Sequence, residues 1–481
     1  MAATCLIIGS AQAAERPNIV VILADDMGYG ELQCLNSKGK IKTPGLDSIA
    51  KSGMIFTDAH SGSSVCTPTR YGLITGRYAW RTKLQKGVMT GGDSLVAKET
   101  LTIAEMLKTK GYETVMIGKW HLGMKFDGEH KQGKGKVKKG AKVTHGPIDY
   151  AGFDKFYGFH YARQMDLWIE DMEVTQNLEA EEMLPKLTET AESYIAARKD
   201  SKKPFFMYIP WNAPHSPVVP SAEWLGKSGI NKHADFVMQT DNSYARVVQA
   251  LKDAGKFENT LIICSSDNGT SPGTSGVKAL TAAGHDPSGG LRGMKADIWD
   301  GGHRVPFIVT WPGKVEAGSR CYDLVCITDL IATTAEIIGY EFKDEDAVDS
   351  FSFISSLAGE KGTREDVIHH SISGLFSIRE KQWKLACCPG SGGWGSPRDG
   401  AALKKNGVDS PLNYQLYDMS KDQAEKNNLA EKHPEIVQRL RKKLDAQIAA
   451  GRTTKGKAQT NDADIKVDKW KKGSKKPKKE K

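Results

Sequence analysis

A cysteine, a proline and an arginine lie close enough together in the sequence to do chemistry as a group. Cys66, Pro68 and Arg70 follow a glycine- and serine-containing loop at residues 62–64, and a proline is tolerated in the first turn of a helix. Cys66 would then lie at a helix N-terminus, where unpaired N–H groups favour negative charge. Arg70 would lie one turn further along the same face. The spacing predicts an anion held beside a nucleophile, with a small buried hydrophobe as the alternative reading of Cys66.

Polar side chains follow four separate apolar segments, each of which has the pattern of a buried strand. Because ligands of α/β sheets bind at the carboxyl ends of the strands, we expect these side chains to meet there. The alternation of such strands with helices predicts an α/β domain with a large mixed, mostly parallel sheet flanked by helices. In chain order the strand-end residues are Asp25 and Asp26, Lys119 and His121, His215, and Asp267 and Asn268.

The oxygens among these residues suit a hard divalent cation. Asp25, Asp26 and Asp267 supply carboxylates, and Asn268 supplies an amide carbonyl, which are ligands that Ca²⁺ and Mg²⁺ prefer. Either acidic pair alone is more typical of a helix cap or a solvated turn. The two pairs together, each at the end of a buried strand, predict one cation site.

Several motifs, taken in order, resemble those of type I sulfatases of the alkaline phosphatase superfamily, in particular arylsulfatases and N-acetylgalactosamine sulfatases. The pattern C-x-P-x-R at Cys66 runs on into L-I-T-G-R, and the resemblance covers most of residues 17–450. The sequence departs from the family pattern at Asp300, where the family often has Glu, and in a lysine-rich loop at 125–146. The other matching motifs are G-K-W-H-L-G at 118–123, P-H-x-P around His215, D-N-G at 267–269 and L-R-G-x-K ending at Lys295.

The resemblance implies a sulfatase-like fold and a formylglycine nucleophile, which a maturation enzyme makes by oxidising Cys66. It implies one Ca²⁺, with Mg²⁺ as an alternative, bound by Asp25, Asp26, Asp267, Asn268 and the modified Cys66. The implied catalytic residues are Cys66, Arg70, Lys119, His121, His215 and Lys295. In the implied reaction Asp267 takes the nucleophile's proton, Arg70 and Lys119 stabilise its oxygens, His215 and Lys295 assist the leaving alcohol, and His121 deprotonates the second hydroxyl.

The substrate implied by the resemblance is an aryl sulfate or a sulfated carbohydrate, and polar residues favour the carbohydrate. The candidates for substrate contacts are Arg163, Gln164, Asp166, His285, Arg292 and His303, each with a structural role as the alternative.

The chain is expected to divide into four parts. Residues 1–14 end in an A-x-A site and resemble the end of a signal peptide, which predicts a periplasmic or secreted protein; an unstructured cytosolic N-terminus is the alternative. A catalytic α/β domain at 15–370 is followed by a small C-terminal α+β domain with an antiparallel sheet at 371–451. The lysine-rich segment 452–481 is expected to be a disordered tail.

Charge and composition exclude some partners. Residues 466–481 hold nine lysines against Asp468 and Glu480, so this tail carries +7 of the net charge of +9 and the remaining chain gives no sign of nucleic-acid binding. No stretch is long and apolar enough for a membrane span. Besides Cys5 and Cys66, six cysteines remain, enough for a disulfide framework whose pairing the sequence leaves open.

Two other functions remain open at this point. A phosphodiesterase or phosphonate hydrolase of the same superfamily shares the C-x-P-x-R motif, although a two-metal phosphatase needs a second ligand cluster, which the sequence lacks after Asn268. A catalytically silent protein that binds anionic glycans through its basic tail is the second alternative, and it predicts an unmodified cysteine at position 66.

Overall fold

A computed structural model describes residues 16–127 and 137–474 of the chain. The expected leader at 1–14 and the end of the lysine-rich tail lie outside the described residues. The described strands are β1 (Asn18–Asp25), β2 (Met54–Phe56), β3 (Ala59–His60), β4 (Glu113–Lys119), β5 (Lys125–Phe126), β6 (Val143–His145), β7 (Lys155–Phe159), β8 (Leu167–Glu170), β9 (Glu173–Asn177), β10 (Phe205–Pro214), β11 (Thr260–Ser266), β12 (Phe307–Thr310), β13 (Ser319–Cys321), β14 (Val325–Cys326), β15 (Asp366–His370), β16 (Phe376–Glu380), β17 (Trp383–Ala386) and β18 (Gln415–Asp418).

Helices cover the faces of the main sheet and of the C-terminal sheet. Among the described residues they are α1 (Pro44–Lys51), α2 (Cys66–Thr75), α3 (Ile103–Thr109), α4 (Pro147–Ala151), α5 (Met183–Ala196), α6 (Lys232–Asp253), α7 (Val277–Ala282), α8 (Asp300–His303), α9 (Leu330–Ile338), α10 (Ile354–Leu357), α11 (Asp399–Asn406) and α12 (Pro434–Ala449). In the described ranges, no helix combines the length and apolar character that crossing a membrane requires.

The main sheet has ten strands in the order β13-β2-β12-β11-β1-β10-β4-β7-β8-β9. Its centre, β11-β1-β10-β4-β7, is parallel, and antiparallel pairs flank it on both sides. Successive residues of β1 pack on opposite faces of the sheet: Val21 belongs to one hydrophobic cluster and Val20 to another, and both are fully buried. The sheet is therefore covered on both faces, as a continuous apolar strand requires. The predicted mixed, mostly parallel sheet is confirmed.

A second sheet of four antiparallel strands, in the order β15-β16-β17-β18, forms the C-terminal part of the fold. Leu440 and Leu444 of α12 are buried in the same hydrophobic cluster as Ile378 of β16, so this helix closes one face of the sheet. The predicted α+β character of this region is confirmed. Its first strand begins at Asp366, before the expected boundary at residue 371.

Two further expectations about the chain differ from the structure. Residues 452–471 pack against the protein, because Val467 and Trp470 are buried and Arg77 forms an ion pair with Asp462 at 2.9 Å. The prediction of a disordered tail is therefore wrong for this part of the segment. All seven cysteines in the described ranges are free thiols, so the described part of the chain contains no disulfide framework.

Candidate active site

The site lies at the carboxyl ends of the central parallel strands. Asp25 ends β1, Lys119 ends β4 and Asp267 follows β11, so side chains far apart in the sequence meet at one edge of the sheet. The close approach of β4 to β10 needs a glycine, because a Cβ on Gly118 would lie 1.9 Å from the carbonyl oxygen of Pro210. The expectation that the strand ends converge is confirmed for these residues.

Cys66 is the first residue of α2 and is 2% exposed. Its Sγ and one carboxylate oxygen each from Asp25 and Asp267 lie within 4.8 Å of one another. Burial raises the pKa of the Cys66 thiol, against the opposing charges of Lys119 and Lys295. The side chain at position 66 therefore lies beside two carboxylates and feels the charges of two ammonium groups.

Arg70 joins the helix to the carboxylates. Its Nε and NH2 donate hydrogen bonds to Oδ2 of Asp267 at 3.1 and 2.7 Å, and NH2 lies 3.5 Å from Oδ1 of Asp25. A further hydrogen bond, from NH1 to the carbonyl oxygen of Lys119 at 3.2 Å, ties the helix to β4. Burial acts to lower the pKa of the Arg70 guanidinium, but the charges of Asp267 and Asp25 outweigh it and hold the pKa above its ordinary value. Arg70 therefore stays charged.

The lysines and carboxylates form close buried pairs. Nζ of Lys119 lies 2.6 Å from Oδ2 of Asp25, and Nζ of Lys295 lies 2.6 Å from Oδ1 of Asp26. Burial acts to raise the pKa of Asp25, but Lys119 and other nearby cations hold it well below its ordinary value. Burial and the charge of Asp25 raise the pKa of Asp267 to about 7.

The acidic residues fit a divalent cation. Oδ1 of Asp25 and Oδ1 of Asn268 are buried and accept no hydrogen bond from the described residues, although a buried oxygen without a hydrogen bond is costly. The Nδ2 group of Asn268 donates to Oδ1 of Asp26 at 2.7 Å, which fixes the amide and leaves its carbonyl oxygen free. Asp26 has a φ of 69°, a left-handed conformation that orients it beside Asp25. The chemistry of this oxygen set matches Ca²⁺ or Mg²⁺.

Two histidines face the same site. Nε2 of His121 donates to the carbonyl oxygen of Met89 at 2.7 Å, which leaves Nδ1 unprotonated. Nδ1 is buried and has no hydrogen-bond partner in the part of the chain that the structure describes. Burial, and to a lesser extent the positive charge of Lys119, holds the pKa of His121 well below its ordinary value. Nδ1 of His215 donates to the carbonyl oxygen of Ser216 at 2.6 Å, and its Nε2 lies 3.7 Å from Oδ2 of Asp26. Burial also lowers the pKa of His215.

Two of the residues predicted to contact the substrate, His303 and His285, are buried in the structure. His303 is fully buried against His60 and His369, so its prediction as a substrate contact is wrong. His285 is 1% exposed and its Nδ1 accepts a hydrogen bond from the backbone of Lys40 at 3.0 Å, which gives it a structural role.

Arg292 contacts the C-terminal part of the fold, and its role as a substrate contact stays a prediction. Its NH1 donates to the carbonyl oxygen of Glu425 at 2.6 Å, and its guanidinium carbon lies 3.7 Å from the centre of the Trp299 ring. The guanidinium therefore joins the catalytic domain to the C-terminal part. Gln164 is half-buried and Asp166 is exposed, so both stay predictions, while the side chain of Arg163 lies outside the described part of the structure.

One histidine near the site was missed in the sequence. His160 follows β7, is 1% exposed, and its ring centre lies 6.4 Å from that of His121. Within the described ranges, neither of its ring nitrogens has a hydrogen-bond partner. The aromatic and glycine residues before it are typical of a turn, whereas residues 155–159 form a strand that pairs with β4. The strand-end rule that identified Lys119 applies equally to His160 once that strand is recognised.

The ten-stranded, mostly parallel sheet with its polar strand-end site is a sulfatase-like α/β fold. The family profile described as Sulfatase matches residues 17–340. The chain belongs to the sulfatase family.

Characterised relatives match along nearly the whole chain. The N-acetylgalactosamine-6-O-sulfatase of Bacteroides thetaiotaomicron is 29% identical, over 90% of this chain and 94% of that protein. Human arylsulfatase A is also 29% identical, over 91% of this chain and 90% of that protein. A protein from work on glycosaminoglycan metabolism by B. thetaiotaomicron has a solved structure that matches with a TM-score of 0.79 at 27% identity, covering 90% of this chain and 100% of that one.

Proposed function

We propose that this sulfatase-family hydrolase cleaves the S–O bond of a sulfated carbohydrate, using a formylglycine made from Cys66 and one divalent cation. The observation that carries the proposal is the position of Cys66, whose Sγ lies within 4.8 Å of oxygens of Asp25 and Asp267. The similarity to an N-acetylgalactosamine-6-O-sulfatase favours a sulfated amino sugar as substrate.

Asp25, Asp26, Asp267 and the amide oxygen of Asn268 would hold the cation, with Ca²⁺ favoured over Mg²⁺ by family resemblance. Bound there, the cation supplies Lewis acidity toward sulfate oxygens. The two oxygens that accept no hydrogen bond, on Asp25 and Asn268, support this ligand set.

The modified residue 66 supplies a nucleophilic hydroxyl, and a second hydroxyl on the same carbon allows sulfate to leave afterwards. Arg70 and Lys119 provide positive charge beside that carbon, where negative charge develops during attack. Asp267 lies near enough to residue 66 to accept a proton from the attacking hydroxyl.

The remaining groups act on the leaving alcohol and on the release of sulfate. Lys295 and His215 both lie against Asp26, and their proposed role is to stabilise and protonate the leaving alkoxide. His121 presents the unprotonated Nδ1 that the Met89 contact fixes, so it can accept the proton of the second hydroxyl.

A maturation enzyme that converts Cys66, and a periplasmic or secreted location, are part of the same proposal. A direct test is to produce the protein together with a formylglycine-generating enzyme and to measure inorganic sulfate released from N-acetylgalactosamine 6-sulfate. We expect release with Ca²⁺ present and none from the Cys66→Ala protein. Equal release by both proteins, or none by a protein whose residue 66 is shown by mass to be the aldehyde across a panel of sulfated sugars, would contradict the proposal.

A further inference from the structure

The C-terminal segment at residues 461–471 is held against the loop that leads to the active site. The backbone N–H of Asp462 donates to the carbonyl oxygen of Arg81 at 2.8 Å, and Nε2 of Gln85 donates to the carbonyl oxygen of Asp464 at 2.9 Å. Buried Trp470 anchors the end of the segment in the hydrophobic cluster around Ile298 and Tyr417. These contacts fix the position of the lysines that the segment carries.

Lys469 reaches the loop at Gln85. Both lie beside Gly374: a Cβ added to this glycine would be 3.2 Å from Nζ of Lys469 and 2.1 Å from the carbonyl oxygen of Gln85. Nζ of Lys469 and the carbonyl oxygen of Gln85 are therefore close to each other. The same ammonium lies 5.8 Å from the centre of the Phe376 ring. The ammonium of Lys469 therefore stands next to the backbone that precedes Lys86.

Lys86 is close in sequence to Met89, a residue that contacts the candidate active site. Three residues further on, the carbonyl oxygen of Met89 accepts the hydrogen bond from His121, and the backbone N–H of Met89 donates to Oγ1 of Thr67 at 3.2 Å. Consecutive Cα atoms are about 3.8 Å apart, so the Cα of Lys86 lies at most about 11 Å from that of Met89. The segment that carries Lys86, with Lys469 against it, therefore leads within three residues to the backbone that contacts His121 and Thr67.

The two lysines lack a counter-charge. Lys86 is exposed and Lys469 is half-buried, and within the described ranges no carboxylate oxygen lies within the 4.0 Å of an ion pair from either ammonium. Burial and the charge of Lys86 lower the pKa of Lys469, as expected for two cations that repel each other. Neighbouring ammonium groups without a carboxylate favour binding of an anion.

We propose that Lys86 and Lys469 form a subsite that binds a second anionic group of the substrate, on a sugar adjacent to the one whose sulfate is hydrolysed. The inference rests on the proposed function and narrows its substrate class to saccharides with more than one negative charge. A sulfate ester and a uronate carboxylate share the required chemistry. It also gives the C-terminal segment a role in the choice of substrate.

The kinetic test compares the matured enzyme with a Lys86→Ala/Lys469→Ala variant. Lys466→Ala is the matched control, because Lys466 lies in the same segment but pairs with Asp464 at 3.3 Å. The substrates are N-acetylgalactosamine 6-sulfate, its disaccharide with an unsulfated uronate, and that disaccharide with an additional sulfate on the uronate.

We expect the ratio of kcat/KM for a charged disaccharide over the monosaccharide to fall about tenfold in the double variant, mainly through KM, and to be retained in the control. The two disaccharides tell whether carboxylate or sulfate is the bound group. An unchanged ratio for both disaccharides, or an equal fall in the control, would overturn the subsite.

A binding measurement separates failure of the subsite from failure of the proposed function. Calorimetric titration of the Cys66→Ala protein with the sulfated disaccharide needs no turnover. We expect the added lysine substitutions to weaken binding about tenfold at low salt, with a smaller difference at high salt, since salt screens exposed charges. If the matured enzyme releases no sulfate, the proposed function fails, and the lysine-dependent difference in binding still decides the subsite: equal binding overturns it.

Discussion

Nζ of Lys119 lies 2.6 Å from Oδ2 of Asp25, and both side chains are 1% exposed. The two residues come from β4 and β1, which are separated in the sheet by β10, so the pair spans a strand at the carboxyl edge. A buried carboxylate remains ionised only if cations compensate for its desolvation. This pair therefore keeps Asp25 ready to bind a metal cation and places a positive charge beside residue 66.

Replacement of Lys119 by methionine should damage both activity and stability. We expect kcat/KM for sulfate release to fall at least about 100-fold, because a charge that stabilises the developing oxyanion is lost. The free energy of unfolding should fall by about 3–5 kcal/mol, since Asp25 loses its buried partner. Steady-state kinetics and chemical denaturation measure the two effects. Lys108→Met is the control, because the ion pair of Lys108 with Asp154 is exposed and is worth at most about 1 kcal/mol. Similar losses of activity and stability in both variants would contradict the role assigned to Lys119.

Removal of divalent cations should destabilise the protein. Without a cation, the carboxylates of Asp25, Asp26 and Asp267 repel one another in a buried site, so a chelator should lower Tm and Ca²⁺ should restore it. At a Ca²⁺ concentration 100 times Kd the gain is about 2.7 kcal/mol. Thermal unfolding of the Cys66→Ala protein with and without Ca²⁺ measures the effect independently of catalysis.

The matched pair for that experiment is Asp267→Asn and Asp253→Asn. Asp253 is an exposed acid at the end of α6, and its Oδ1 accepts a hydrogen bond from Gln249 at 2.7 Å. The first substitution should remove the rise of Tm with Ca²⁺ and the second should leave it intact. A rise of equal size in both variants would place the cation elsewhere.

Stability should decrease as pH falls below about 6.5. Burial lowers the pKa of His160 to about 3 and that of His370 to about 4, so the folded protein keeps both rings neutral. The unfolded chain takes up these protons below its ordinary pKa of about 6.5. The stabilising contribution is complete above that pH and is lost as pH falls toward 4, at up to about 1.4 kcal/mol per pH unit for each ring. Denaturation between pH 7.5 and pH 4.5 measures this slope.

Substitution of one histidine at a time tests this explanation. His370→Asn should make the dependence of the unfolding free energy on pH shallower, while His433→Asn, which changes a partly exposed ring beside Glu435, should not. An unchanged slope in His370→Asn would show that other groups cause the acid sensitivity.

The buried ion pair between Arg81 and Asp349 should be among the stabilising contacts of the catalytic domain. Nε and NH2 of Arg81 donate to the two carboxylate oxygens of Asp349 at 2.7 and 2.8 Å, and both side chains are fully buried. Asp349→Ala should cost about 3–5 kcal/mol, because an uncompensated guanidinium stays buried. Glu223→Ala, which breaks an exposed pair with Lys227, should cost at most about 1 kcal/mol by the same denaturation assay. Equal costs would contradict the burial argument.

The site was more predictable than its surroundings because local patterns mark strand ends. Continuous apolar runs before Asp25 and Asp267 identify strands that are buried on both faces, and parallel neighbours bring their ends together. His160 was missed because three of the five residues in the strand before it, residues 155–159, are aromatic and one is a glycine, a pattern that also fits a turn.

The errors come from contacts between distant parts of the chain. Nothing adjacent to His303 in the sequence indicates that His60 and His369 enclose it. The lysine-rich composition of the C-terminal segment indicates disorder, whereas buried Val467 and Trp470 hold it in place. Two apolar side chains in a charged segment are too few to form a recognisable period, and their binding surface is made elsewhere in the chain.

The most direct measurement is the preference of the matured enzyme between a sulfate ester and a phosphate ester of the same alcohol. The protein should be produced with a formylglycine-generating enzyme, its residue 66 verified by mass, and assayed with Ca²⁺. We expect kcat/KM to be higher for the sulfate ester and to vanish for both esters in the Cys66→Ala protein. A higher kcat/KM for the phosphate ester would contradict the assignment of the chain as a sulfate ester hydrolase.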